Sequence, residues 1–73
     1  MELANLGKGI KARVISIDND VLAPKLYEMG LLPGQIIELQ GSAPFGCPLL
    51  VKVSGYLLSL RREEAVFEKV QVD

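Results

Sequence analysis

Asp18 and Asp20 are the side chains whose spacing first suggests chemistry, because paired carboxylate oxygens can bind a divalent cation. Such a pair would hold the ion weakly without a third ligand nearby. With Asn19 between them, the same residues also form a run of helix-capping side chains, which is typical of a turn before a helix. We therefore interpret residues 18–20 as a turn and helix start, and a metal site as the less favoured alternative.

The chain lacks the other residue types on which most catalytic and metal sites depend. It contains no histidine and a single cysteine, Cys47, so neither a Ser–His pair nor a thiolate cage can form. Gly7-Lys8-Gly9 has neither the spacing nor the Lys-Ser/Thr ending of a phosphate-binding loop. We predict that the protein is not an enzyme and holds no cofactor or metal. Cys47 is interpreted as a small apolar loop residue, with an intermolecular disulfide or metal link between copies as the alternative.

Length and composition indicate one small domain covering residues 1–73. A chain of 73 residues with 49% apolar content can fold around a modest core. The formal net charge of −1 argues against a nucleic-acid-binding surface, which usually carries a basic excess. The N-terminus lacks the regions of a signal peptide, and no apolar run approaches the roughly 20 residues of a membrane helix. We expect a soluble, cytoplasmic protein with no membrane insertion.

Most of the chain has the pattern of short strands separated by turns. Leu3 and Leu6 predict a helical turn that pins the N-terminus to the core. In the first strand, Ile10, Ala12 and Val14 share one face, but Ile15 and Ile17 fall on the other. A bulge would explain the shift. Gly55 separates two of the later strands. The predicted strands are 10–17, 35–40, 49–54, 56–60 and 66–72, with a loop over 42–48 and a single helical turn over 61–65.

One helix lies between the first and second strands. Leu22, Leu26 and Met29 are spaced i, i+4, i+7, which places them on a single apolar stripe. Pro24 is compatible only with the first turn, so the regular helix cannot begin much before Leu22. Lys25 lies off the apolar stripe and is expected to face water.

The end of this helix is strongly marked. Gly30 can take the left-handed conformation that closes a helix, and Leu31 supplies the apolar residue that follows in such an ending. Pro33 and Gly34 then fit the two central positions of a turn. One short helix among short strands predicts a mostly β fold. The best solution is a small five-stranded SH3-like barrel with one short α-helix inserted between strands 1 and 2.

Four segments carry a resemblance that runs over essentially the whole chain: residues 11–17 (KARVISI), 28–34 (EMGLLPG), 43–46 (APFG) and 55–65 (GYLLSLRREEA). In this order and at these spacings, they resemble the FeoA family, the small cytoplasmic component of bacterial ferrous iron transport. The resemblance implies an SH3-like barrel and a partner, the membrane ferrous iron transporter FeoB with its cytoplasmic GTPase domain. It also implies that the protein acts by binding and modulating this transporter, where the iron and nucleotide chemistry would lie.

Five side chains are candidates for contact with a protein partner. Arg61 and Arg62 either form a solvated turn balanced by the glutamates that follow, or dock carboxylates of the partner. Phe45 lies in a loop, where it either folds over the barrel or is exposed as an anchor. Tyr27 is expected to be half-buried, with an anchoring role as the alternative. Lys25 is the only basic residue of the helix, whereas the family usually carries several there.

Two other functions are compatible with a small barrel. FeoA-like domains resemble the C-terminal domain of metal-dependent transcriptional regulators, but we expect no DNA-binding part, because the barrel uses all 73 residues. A small RNA-binding barrel is the second alternative. The acidic balance and the small number of aromatic residues, two tyrosines and two phenylalanines, weigh against it. A weak homo-oligomer is compatible with any of these functions.

Overall fold

The computed structural model describes residues 1–43 and 47–72, and within them five antiparallel strands form one sheet. The strand order is β4-β3-β2-β1-β5. This confirms the predicted mostly β class, with a short helix between the first and second strands. The ladder is open rather than closed by hydrogen bonds, since β4 and β5 are its two ends in the described part of the chain. The strands are β1 (Lys11–Ile17), β2 (Ile36–Ser42), β3 (Leu49–Val53), β4 (Tyr56–Leu60) and β5 (Glu68–Val72).

Three short helical elements connect the strands. A 3₁₀ turn over Leu3–Asn5 precedes β1, and both predicted N-terminal leucines are buried in the core. Helix α1 (Ala23–Glu28) lies between β1 and β2, and helix α2 (Arg62–Ala65) between β4 and β5. Within the described residues, no helix is both long and apolar enough to cross a membrane.

The phase shift in the first strand is a β-bulge, as predicted. The register of β1 against β5 slips between Val14 and Ser16, so that Val14 and Ile17 both face the core. Ile15 is 46% exposed on the outer face. Ile10 was expected on the same face as Val14, but it lies before the strand begins and is 43% exposed.

The last strand begins later than the sequence pattern predicts. Val66 and Phe67 continue the α2 turn, with the Val66 N–H donating to the Arg62 carbonyl at 3.1 Å and the Phe67 N–H donating to the Glu64 carbonyl at 3.2 Å. Only from Glu68 onward does the chain pair with β1. The local helical hydrogen bonds therefore take precedence over the β propensity of these two residues.

The C-terminal end of α1 has the hydrogen bonds of a Schellman motif. Gly30 has φ +97°, the Leu31 N–H donates to the Leu26 carbonyl at 3.0 Å, and the Gly30 N–H donates to the Tyr27 carbonyl at 3.0 Å. Leu31 is fully buried beside the core residues of α1. Gly34 follows with φ +91° in a turn that leads directly into β2. The motif thus turns the chain from helix to strand within a few residues.

Candidate functional site

An open groove of about 550 Å³ lies between the two helices, and we call it the α1–α2 groove. Lys25 of α1 and Met29 directly after it line one side, and Arg61, Glu63 and Glu64 at the start of α2 line the other. Its exposed lining is more apolar than polar, although four of these five side chains are charged. Protein interfaces commonly combine apolar and charged side chains in this way.

Three further residues complete the α1–α2 groove. Ser59 comes from β4, while Cys47 and Pro48 come from the connection between β2 and β3. Cys47 is exposed and is a free thiol. The apolar part of the lining therefore comes from Met29, Pro48 and the stems of the long side chains.

Lys25 is exposed, as its position off the apolar stripe predicts, and it also forms an ion pair. Its Nζ lies 2.6 Å from Glu64 Oε2, so α1 is joined to α2 across the groove. The other carboxylate oxygen of Glu64 accepts a hydrogen bond from the Arg61 backbone N–H at 3.1 Å. Both oxygens are satisfied, and Arg61 is the other cation that lines the groove.

The environment of Glu64 favours its ionised form. The hydrogen bond from Lys25 holds the pKa of this carboxyl below its usual value, although burial opposes the shift. The Glu64 side chain is only 12% exposed, whereas that of Lys25 is 61% exposed. Sequence reasoning did not single out Glu64. The sequence feature that could have identified Glu64 is its position three residues after the N-cap Arg61, where a glutamate commonly bonds back to the N-cap N–H.

Tyr56 fixes the position of Met29 at one end of the groove. Its Oη donates a hydrogen bond to the Met29 carbonyl at 2.8 Å, which links β4 to the C-terminal end of α1. The Tyr56 hydroxyl also lies directly against Gly30, where a Cβ atom would collide with it. Sequence reasoning missed this role, because the two groups are 27 residues apart and no local pattern links them.

Four of the five candidate partner-binding residues lie in the described part of the chain, and the structure brings two of these together. Lys25 and Arg61 line the α1–α2 groove. Arg62 instead points towards the N-terminal turn, where it donates to the Ala4 carbonyl at 3.3 Å. Tyr27 is 38% exposed and is not among the lining residues of the groove. Phe45 lies outside the described residues.

The Asp-Asn-Asp turn adopts capping geometry. Asn19 Oδ1 accepts hydrogen bonds from the backbone N–H groups of Val21 and Leu22 at 3.0 and 2.9 Å. Asp18 accepts from Ser16 Oγ at 3.3 Å. Over residues 1–43 and 47–72, no cluster of three or more His, Cys, Asp or Glu side chains is arranged to hold a metal ion.

Comparison with known proteins gives one curated relative over the full chain. It is the Fe(2+) transport protein A/Fe(2+) transporter FeoB fusion protein of Porphyromonas gingivalis, 31% identical over 74 residues. The match covers 100% of this chain but 8% of the fusion protein, so the chain corresponds to a small part of that relative.

Solved structures share the fold over nearly the whole chain. Iron(II) transport protein A from Clostridium thermocellum is 36% identical with a TM-score of 0.91, over 99% of this chain and 45% of that one. FeoA of Stenotrophomonas maltophilia complexed with zinc, named as a prokaryotic SH3 domain protein, is 33% identical with a TM-score of 0.83. This match covers 97% of this chain and 89% of the other.

A further solved structure, at lower identity, offers a likeness of fold alone. T. acidophilum IdeR superposes with a TM-score of 0.86 at 24% identity, over 100% of this chain and 34% of IdeR. The family comparison is more specific, because the FeoA domain matches residues 1–72. This chain therefore belongs to the FeoA domain family.

Proposed function

We propose that this chain is a non-enzymatic accessory protein of ferrous iron transport, which binds a FeoB-like membrane transporter and modulates it. The observation that carries the proposal is the fusion relative, in which an Fe(2+) transport protein A segment and the FeoB transporter form one chain. Fusing two modules raises their effective concentration and is useful where the two must meet. A single domain over residues 1–73 acting at the cytoplasmic face, on the transporter's GTPase region, fits this role.

The α1–α2 groove is the surface we assign to this contact. It combines an apolar lining with one guanidinium, Arg61, whose planar fork suits a carboxylate of the partner. Lys25 contributes mainly by holding Glu64, and through it the start of α2, in place. This pair thus fixes the two helices that line the groove relative to each other before a partner binds, which lowers the ordering cost of binding.

The proposal is tested by titrating the labelled protein with the transporter's cytoplasmic GTPase region, in the apo, GDP and GTP-analogue states, and by repeating the titration with the intact transporter in nanodiscs. We expect chemical-shift changes to concentrate at Met29, Ser59 and Arg61. Arg61→Glu should weaken binding about tenfold, which corresponds to ~1.4 kcal/mol. Lys8→Glu is the matched charge reversal on an exposed turn outside the groove and should leave the affinity unchanged.

Two results would contradict different parts of the proposal. Absence of binding in every nucleotide state, including to the intact transporter, would overturn the transporter as partner. Binding that Arg61→Glu and Lys8→Glu weaken equally would keep the partner but overturn the α1–α2 groove as the contact surface.

A further inference from the structure

The two edge strands of the sheet, β5 and β4, differ in whether another segment pairs with their outer side. The outer edge of β5 is covered by the N-terminal segment: the Val70 N–H donates to the Met1 carbonyl at 2.8 Å, and the Met1 amine donates to the Val70 carbonyl at 3.0 Å. Glu2 forms a further bridge to Lys69. In contrast, β4 pairs only with β3 in the described part of the chain.

The hairpin geometry shows which backbone groups face the open edge. Ser54 and Gly55, with φ of 51° and 83°, form the two-residue turn between β3 and β4, and this turn sets Val53 opposite Tyr56 as a hydrogen-bonded pair. Hydrogen-bonded and non-bonded pairs alternate along an antiparallel ladder. The N–H and C=O groups of Leu57 and Ser59 therefore point away from β3, towards the open edge.

The open edge also lacks the residues that usually prevent strand pairing. From Ser54 to Leu60 the chain has no charged residue and no proline, and Leu57 is 56% exposed. Exposed edge strands commonly carry lysine, proline or a bulge that blocks pairing with another chain. The edge of β5, by comparison, contains Glu68 and Lys69 and is covered as well. The bare, uncharged β4 edge is thus a template for an added strand.

We propose that this added strand is β4 of a second copy of the chain, paired antiparallel about a two-fold axis at Leu58. This register sets Leu57 opposite Ser59 of the second copy and Ser59 opposite Leu57 of the second copy. Every outward N–H and C=O group of these residues then finds a partner, so the edge is self-complementary, as a two-fold interface requires. No like charges lie directly opposite each other, because the paired strands are uncharged.

The pairing between the two copies can involve only a few residues of each β4 strand. At the next outward position, the Arg61 N–H is bonded to Glu64 Oε1, and its carbonyl accepts the N–H groups of Glu64 and Ala65. The strand ladder between the copies therefore ends before Arg61. Such a small interface gives a weak, reversible dimer rather than an obligate one. This self-association goes beyond the proposed transporter contact and does not require the transporter, although both contacts use Ser59, which also lines the α1–α2 groove.

Sedimentation velocity of the full chain from about 10 μM to 2 mM tests the proposal. We expect the average mass to rise from monomer towards dimer across this range. Ser59→Pro removes one of the edge N–H donors, and Leu57→Lys places a charge at the edge, so each should raise the dissociation constant at least tenfold. Leu32→Lys, at a leucine that is 48% exposed outside the sheet, is the matched control and should leave the dimer unchanged.

Amide hydrogen exchange supplies a second readout that does not require a variant to fold. The Leu57 and Ser59 amides should become more protected as the concentration rises, whereas the Leu58 amide, already bonded to β3, should change little. A chain that stays monomeric up to 2 mM would overturn the proposal. So would a dimer that forms equally well in both edge variants, or one that leaves the two amides unprotected.

Discussion

At the scale of single residues, Glu68 is the side chain that the fold accommodates with greatest difficulty. It is fully buried on β5, and neither of its carboxylate oxygens has a hydrogen-bond partner. Burial raises the pKa of Glu68 to about 8. The neighbouring cation on β5, Lys69, pairs instead with Glu2 and Asp18. The folded protein therefore holds this carboxyl in its neutral form at neutral pH.

This burial predicts that the protein loses stability as the pH rises from about 4.5 to 8. In this window the unfolded chain has released the Glu68 proton while the folded chain retains it, so the folded state binds more protons and is disfavoured by raising the pH. The free energy of unfolding should fall by about 1.4 kcal/mol per pH unit. Urea denaturation at pH 5, 6 and 7 measures the slope, and the chain has no histidine to obscure it.

Two variants separate the carboxyl from other sources of pH dependence. Glu68→Gln should flatten the profile, because an amide does not titrate, and Glu68→Leu should flatten it while making the protein more stable than the parent at pH 7. Glu63→Gln, at an exposed position on α2, should keep the parental slope. A parent protein with flat stability between pH 5 and 7 would show that Glu68 is not held neutral.

At the scale of elements, α1 depends on its surroundings. A helix of six residues is not stable alone in water, so tertiary contacts must hold it. Asn19 caps the turn that leads into the helix, and Lys25 joins the middle of the helix to α2. The Schellman motif and Tyr56 satisfy the carbonyl groups at its end. The close approach of Tyr56 to the helix end is possible only because Gly30 has no Cβ atom.

We predict that Gly30→Ala destabilises the protein more than Gly34→Ala does, although both glycines have similar positive φ. The left-handed conformation costs alanine about 1 kcal/mol at either site. At Gly34 the added methyl group meets nothing within 4 Å, whereas at Gly30 it would displace Tyr56 and break the hydrogen bond to Met29. Gly30→Ala should therefore cost about 2 kcal/mol in urea denaturation.

A double-mutant cycle identifies Tyr56 as the source of the difference. In a Tyr56→Phe background the hydroxyl is gone, and the nearest remaining ring atom is 3.5 Å from the added Cβ, which is an ordinary contact. The cost of Gly30→Ala should then fall to that of Gly34→Ala. If the cost is the same with and without the hydroxyl, the tyrosine does not constrain this glycine.

At the scale of the whole molecule, local sequence patterns predicted the order of the elements but not the contacts between residues far apart in the chain. The end of α1, the turn before β2 and the β1 bulge each arise from a few adjacent residues, whose conformational preferences are visible in the sequence. In contrast, the Lys25–Glu64 pair joins residues 39 apart, and only the fold brings them together. Glu68 lies two residues before Val70 and shares its inner face on β5, a position that the sequence analysis did not single out. A buried, unpaired carboxylate is so costly that the pattern alone gave no reason to accept it.

These distant contacts predict that the domain unfolds as one cooperative unit. The short helices contribute only a few residues to the core, and α1 is held by contacts from β4 and α2 rather than by its own hydrogen bonds. Loss of the sheet should therefore melt α1 at the same urea concentration. In the parent protein, NMR signals of the Leu26 and Met29 backbone amides report on α1 across a urea titration, while far-UV circular dichroism reports mainly on the sheet. Both should give the same midpoint, with a slope of about 1 kcal/mol per molar urea. An α1 transition that precedes the loss of the sheet would show that α1, and the α1–α2 groove with it, opens independently of the sheet.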